Sequence, residues 1–256
     1  MSMIAITYIG HATTLIRSGE SVVLTDPLFS ERVFFAKRQE PINIDLGRLP
    51  ELSAIVISHA HFDHLDLNAF RYIKSNVPVF VPGGVGRLAS KYIRNPIIEL
   101  DPYSSHTLSN GTEITATEAR HRGFRISGLR YRRCNGYVLK FKNGEKAFFA
   151  GYTGYGEHFK EICANYSGEG PINVALLPIT SYAPKWFMQK HHLNPTEALE
   201  AFLDLGAEKM VPIHFGTFKL SSEKMDEPIE WLKRVSSERN LSENIVILKS
   251  GETAEI

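Results

Sequence analysis

The string SHAHFDHLD places His59, His61, Asp63 and His64 within six residues, directly after the apolar run at 54–58. A strand that breaks into imidazoles and a carboxylate at this spacing can converge them on a divalent cation, and nitrogen-rich ligation favours zinc. A single histidine at a strand end is ordinarily a hydrogen-bonding side chain. Four ligand-type groups in the order H-x-H-x-D-H shift the reading to metal binding, with a polar turn as the alternative.

Ligands on a turn need a scaffold that brings other segments to them. Short apolar runs alternate with turn signals. AITYIGHATTLI and SVVLTDP flank Ser18-Gly19-Glu20, TEITATEA follows Asn110-Gly111, and GYVLKFKNGEKAFFAG reads as a strand pair around Asn143-Gly144. These predict antiparallel sheet. Amphipathic helical segments lie between them, NPTEALEAFLDLGA being the clearest. Asn194 can cap the first amides, Pro195 suits the first helical position, and Glu197 can reach back. Ala198, Ala201, Phe202 and Leu205 make one apolar face, which Gly206 ends. LNAFRYIKS, GVGRLASKYI and PIEWLKRVSSE are further helix candidates. Sheets covered by helices follow, in an α/β or α+β layered domain.

A chain of 256 residues that is 43% hydrophobic can bury a sizeable core. Residues 1–256 are read as one folding unit, since no low-complexity segment or linker splits them. With 29 basic against 28 acidic residues the formal charge is +1, so no global field draws the chain onto nucleic acid or anionic membrane, and any polyanion binding is local. Cys134 and Cys163 are too few for a disulfide framework and read as reduced thiols. The start MSMIAITYIGHATTLI has neither a basic stretch before a long apolar run nor a cleavage pattern, and nowhere do about 18 apolar residues run uninterrupted. A soluble cytoplasmic protein with no transmembrane segment is expected.

H-x-H-x-D-H after an apolar strand resembles the metallo-β-lactamase fold superfamily. Its members are αββα four-layer sandwiches, two packed mixed β-sheets with helices on the outer faces and a two-metal site at one sheet edge. The resemblance runs over nearly the whole chain. YIGHATTLI, LTDPLFS, SHAHFDHLD, FFAGYTGY, NVALLPI, YAPKWFM, HHLNPTEAL and IHFGTF are most similar to the branch containing N-acyl-phosphatidylethanolamine-hydrolysing phospholipase D and its bacterial relatives. The ascorbate-6-phosphate lactonase branch is similar at the front end and weaker later. The resemblance implies one metal on His59, His61 and His121 and a second on Asp63, His64 and His214. Two zinc ions are expected, with manganese or iron as alternatives. Independently of the family, His214 follows KMVPI as His59 follows AIVIS, so both would emerge at strand ends, where distant segments can meet. His121, among Arg120, Arg122 and Arg125, fits a solvated basic loop as well as a ligand. Asp26 and Asp66 are read either as acceptors for ligand imidazole N–H groups or as turn and helix caps. His11 is read as a hydrogen-bonding neighbour of the site.

The family pattern at FFAGYTGY is G-D-T, with an aspartate whose oxygen bridges two metals about 3.5 to 4 Å apart. Tyr152 stands at that position. A phenol is bulkier and neutral, with a reference pKa of about 10, so a metal must depress it before it becomes an anionic ligand. Three outcomes are open: coordination as a phenolate, a ring swung aside from a weakened second site, or a substitution that disables an otherwise ordinary enzyme. With FFAG and TGY intact, a weakened version of a normal site is the favoured expectation, and the Asp63, His64 and His214 site is the one expected to suffer.

An intact site implies metal-assisted hydrolysis. Two ions lower the pKa of a shared water, hold the hydroxide in line with carbon or phosphorus, and stabilise charge on the departing oxygen. Asp63 then doubles as ligand and orienter. Tyr182, Trp186, Phe187 and Met188, beside Lys185 and Lys190, read either as an entrance for acyl chains with cations for a phosphate or as packing under a long loop; Phe34 and Phe35 carry the same two readings. His192 matches a family histidine beside the substrate phosphate. The leading expectation is a zinc-dependent phosphodiesterase of phospholipase D-like type, acting on a small-molecule or lipid-like phosphodiester. A lactonase or other small-ester hydrolase is the second reading. A nuclease, suggested by the cations of RHRGFRISGLRYRR, is disfavoured because that run alternates like an exposed strand. A non-catalytic metal- or ligand-binding protein is the fourth, and Tyr152 keeps it open.

Overall fold

The computed structural model describes residues 3–121, 133–183, 188 and 190–256. In chain order the strands are β1 (Ala5–Gly10), β2 (Thr13–Ser18), β3 (Ser21–Thr25), β4 (Arg32–Val33), β5 (Ala36–Lys37), β6 (Ala54–Val56), β7 (Val79–Pro82) and β8 (Ile97–Leu100). They continue with β9 (Ser105–Thr107), β10 (Glu113–Glu118), β11 (Asn135–Lys140), β12 (Lys146–Phe149), β13 (Val174–Pro178), β14 (Lys209–Ile213) and β15 (Thr253–Glu255). One sheet has the order β15-β1-β2-β3-β6-β7-β8 and the other β14-β13-β12-β11-β10-β9, while β4 and β5 form a separate ribbon.

Period-two burial explains the stacking. Ile6 and Tyr8 on β1, Ala54 and Val56 on β6, Tyr137 and Leu139 on β11, and Ala147 and Phe149 on β12 all enter one core between the sheets. Their neighbours in sequence face outward: Ile55 and Ile57 join a second cluster with Phe70, Leu88 and Ala89, and Val138 and Phe148 join a third with Phe159, Phe202 and Leu232. The result is the expected αββα arrangement of two mixed sheets. Both sheets begin antiparallel and turn parallel, at β3-β6-β7-β8 and at β12-β13-β14.

The helical layers are unequal. NPTEALEAFLDLGA forms a helix over Pro195–Asp204 with both halves of the capping box present, Glu197 N–H to Asn194 and Asn194 N–H to Glu197. PIEWLKRVSSE lies in a helix over Glu227–Glu238, and His158–Tyr166 is a third. On the other face LNAFRYIKS closes only as a 3-10 segment, Leu67–Tyr72, and GVGRLASKYI as a four-residue helix, Gly86–Ala89. Asn, Phe and Tyr in the former are weak helix formers, and short segments rarely propagate a costly nucleus. Among the described residues no helix is long and apolar enough to cross a membrane.

AITYIGHATTLI is two strands rather than one. The chain reverses at Gly10-His11-Ala12, with Gly10 paired to Thr13, and His11 takes a φ of +59°. The carboxyl ends of β3, β6, β12, β13 and β14 and the β1–β2 reversal gather at one edge. Main-chain bonds sew the sheets together there: Asn135 N–H to Ser58 O (2.9 Å) and His214 N–H to His11 O (2.7 Å).

Candidate metal centre

At that edge the structure gathers His59, His61 and His121 into one group, and His11, Asp63, His64 and His214 into another. Within each group the ligand atoms lie within 4.8 Å of one another. His59 and His64 are fully buried, and His214 is nearly so.

Hydrogen bonds set the tautomers. Ser58 Oγ donates to Asp26 Oδ2 (2.5 Å), so toward His59 Nδ1 (2.9 Å) it can only accept. His64 Nδ1 stands 2.6 Å from Asp26 Oδ2. His121 Nδ1 donates to the His191 carbonyl (3.0 Å). Thr180 Oγ1 donates to the His214 carbonyl and therefore accepts from His214 Nδ1 (2.9 Å). In all four rings the proton sits on Nδ1 and the Nε2 lone pair is left for something else. His64 Nε2 and His214 Nε2 are buried without a hydrogen-bond partner among the described residues, 3.5 and 3.4 Å from Asp63 Oδ2. His59 Nε2 and His121 Nε2 stand 2.9 and 3.5 Å from His61 Nδ1. Around an ion with Zn–N bonds of about 2.0–2.1 Å, tetrahedral ligand nitrogens lie about 3.3 Å apart. The donor set therefore fits a divalent cation.

The electrostatics agree. Burial holds the His59 and His64 imidazoles well below their usual range and lowers His61, while it takes His121 to about 3 and His11 to about 4. These rings are neutral, the form that binds metal. For Asp63 burial opposes the carboxylate, but the neighbouring His64, the hydrogen bond with His11 and the nearby His214 ring outweigh it and keep the group well below the carboxylate range.

Asp26 and Asp66 part ways. Asp26 is fully buried and receives Ser58 N–H (2.6 Å) as well as the His64 ring. Burial pushes its carboxyl up, against the two Ser58 hydrogen bonds. Asp66 caps the 3-10 segment through Asn68 N–H (3.0 Å) and ties down the amides of Phe29 and Ser30, so it is a cap and loop anchor. His11 is the hydrogen-bonding neighbour expected from the sequence, with Nε2 3.1 Å from Asp63 Oδ2, and its ring centroid lies 3.6 Å from that of His214. The signal for it was Gly10, which allows the reversal at a φ of +138°.

Tyr152 follows Gly151, whose φ is +60° and where a Cβ would come within 2.2 Å of Ser58 Cβ. Its ring lies among both groups, with centroids 4.9 Å from His121 and 5.6 Å from His64. The hydroxyl donates to the Thr180 carbonyl (3.1 Å) and stands 2.7 Å from His192 Nδ1. With its one proton given to the carbonyl, the phenol oxygen accepts from the His192 ring. Burial, then the Asp63 charge, push the phenol well above its ordinary pKa, against its hydrogen-bonding interactions with Ser181 and Thr180. Burial also lowers His192 to about 2.

The remaining residues are spread more widely. Tyr182 is turned inward, its hydroxyl on Glu227 (2.8 Å) and its ring against Trp231. Trp186, Lys185 and Phe187 lie outside the described residues, as do Arg122, Arg125, Arg130 and Arg132 of the basic run; Arg133 pairs with Asp101. Phe34 and Phe35 are not core packing, being 68% and 98% exposed.

Fold and site together define a metal-dependent-hydrolase architecture, and the chain belongs to the β-lactamase superfamily domain family, which matches residues 22–215. It is 34% identical over 258 residues to N-acyl-phosphatidylethanolamine-hydrolyzing phospholipase D 1 of Caenorhabditis elegans, covering 91% of this chain and 70% of that protein. An uncharacterized protein of Mycobacterium tuberculosis is 35% identical over 243 residues, 90% of this chain, and the chain spans 63% of that relative's length. A solved metallo hydrolase from Ignicoccus hospitalis shares the fold at a TM-score of 0.74, 22% identical and covering 99% of this chain and 98% of its own.

Proposed function

We propose that residues 1–256 act as one zinc-dependent phosphodiesterase of phospholipase D-like type, taking a small-molecule or lipid-like phosphodiester, with Tyr152 weakening the second metal position. The observation that carries this reading is the set of four imidazoles whose Nδ1 protons are committed to Ser58, Asp26, His191 and Thr180, leaving the Nε2 atoms facing His61 and Asp63. His59, His61 and His121 would hold one ion. Asp63, His64 and His214, with His11 beside them, would hold the other. When bound, a divalent ion acidifies a water and stabilises charge on the leaving oxygen. The chain's own part is to fix the rings in the neutral tautomer, to keep Asp63 anionic as an orienting acceptor, and to hold His192 against Tyr152 at the side of the site.

The phenol is the specific observation behind a second reading, a metal- or ligand-binding protein without turnover. Its hydroxyl is engaged by Thr180 and His192 rather than by any clustered ligand atom. Elemental analysis of the purified chain and of Tyr152→Asp, with bis(p-nitrophenyl) phosphate and a lactone as substrates, tests the reading. The expected result is metal in the parent, more metal in Tyr152→Asp, and faster diester than lactone hydrolysis in that variant. A Tyr152→Asp variant that gains neither metal nor hydrolysis would overturn the reading.

A further inference from the structure

We infer that the β4–β5 hairpin docks this protein on an anionic lipid surface, with Phe34 and Phe35 entering the bilayer boundary. The two strands are joined by these phenylalanines alone. Two-residue hairpin loops ordinarily carry Asn-Gly, Asp-Gly or Gly-X, because at least one residue must take a positive φ. Here Phe34 takes it, at +49°, which is strained for a bulky side chain. Phe35, at 98%, is the most exposed of the large hydrophobics among the described residues.

Two rungs behind the tip, beyond the Val33–Ala36 pair, Arg32 pairs directly across the ribbon with Lys37. Both are exposed, and like charges opposite one another weaken a strand pair. Turn chemistry, charge pairing and aromatic burial are thus all strained in these six consecutive residues. A lipid surface accounts for the exposed rings and the paired cations. The aromatic rings leave water for the acyl boundary, and the cations, two residues or roughly 7 Å further back along each strand, meet the phosphate layer. A second copy of this chain fits less well, since a twofold contact through the tip would bring the Arg32 and Lys37 rung near its own image.

The base of the hairpin is packed into the fold. Val33 is buried with Leu28 and Phe218, and the Phe34 ring meets the Phe62 ring edge-on at 4.8 Å. Phe62 sits between His61 and Asp63, so docking through the tip sets the ligand loop against the lipid. This deepens the lipid-like reading by naming the surface from which substrate would be taken. Vesicle binding needs no turnover, so either reading can fail alone.

The test is flotation of the full chain with phosphatidylcholine vesicles, with and without phosphatidylglycerol, for the parent, Phe35→Ser, and the double variant Arg32→Gln, Lys37→Gln. The parent is expected to partition onto the anionic vesicles. Phe35→Ser should lower partitioning about tenfold or more, with an unchanged melting temperature because the side chain touches little. The double variant should also lose roughly tenfold, along with most of the salt dependence. A parent that stays in solution, or a Phe35→Ser variant that partitions equally well, overturns the inference. A concentration-dependent dimer broken by Phe35→Ser, without vesicle binding, overturns it too and assigns the tip to a second copy.

Discussion

The Tyr152 ring lies nearly parallel to the His214 imidazole, 15° from coplanar with centroids 4.1 Å apart. The phenol is therefore packed as a flat wall against one ligand-type ring, and its oxygen is spent on Thr180 and His192. A wall and a ligand respond differently to loss of the hydroxyl. Tyr152→Phe keeps the ring and should cost about 1–2 kcal/mol for the stranded partners, read as a lower melting temperature. Metal content by elemental analysis should not change. A fall in bound metal would show that the phenol oxygen coordinates.

Asp26 governs the second group of ligands from outside it, through the His64 ring and both polar groups of Ser58. Asp26→Asn preserves volume but offers an amide where three donors converge. Metal affinity, measured by competition with a chromophoric chelator, should fall about 10- to 100-fold. Parental affinity in this variant would separate Asp26 from metal binding.

His158 makes stability depend on acid away from the ligands. It is buried, Nδ1 has no hydrogen-bond partner among the described residues, and Nε2 is 3.3 Å from Thr153 Oγ1. Burial, helped by Arg120, lowers its pKa to about 4. The unfolded chain takes this proton near its ordinary value of about 6.5, and the folded chain only near 4. The stability tied to neutral His158 is therefore complete above about pH 6.5 and is lost as pH falls toward 4, in all on the order of 2–3 kcal/mol. Urea midpoints of the parent and His158→Gln across this window should converge as pH drops. Parallel curves would refute the assignment.

Gly151→Ala should be among the most damaging single-methyl changes. It forces a side chain into a left-handed backbone and against Ser58, the residue that holds both Asp26 and His59. At least about 2 kcal/mol of stability should be lost, with weaker metal binding alongside, as read by thermal melts with and without chelator.

How much was legible follows from how local each signal is. His59, His61, Asp63 and His64 stand in one short string after an apolar strand, and the helix at Asn194 announces itself through its cap. The period-two alternation of β1, β6 and β12 was likewise open to inspection. His121 could not be separated from its arginine neighbours, because its distinguishing contact is the His191 carbonyl, 70 residues away in sequence. Ser58 and Thr180 acquire meaning only once their partners arrive across the fold. The role of His11 as a hydrogen-bonding neighbour was legible, but the reversal that places it was not, because AITYIGHATTLI reads as one strand and Gly10 alone marks the turn. The second helical layer was overread, since apolar spacing in LNAFRYIKS does not report how poorly its residues propagate a helix.

The main-chain seam from Ser58 to Asn135 and from His11 to His214 has one more consequence. The register of one sheet against the other is held at this edge by peptide groups. Such a seam predicts that the ligand rings are preorganised, so that ion capture proceeds without refolding and at little entropic cost. Cation exchange in such a cradle would run at the pace of ligand loss rather than of domain opening, and amide deuteration along the seam should stay slow even after chelation.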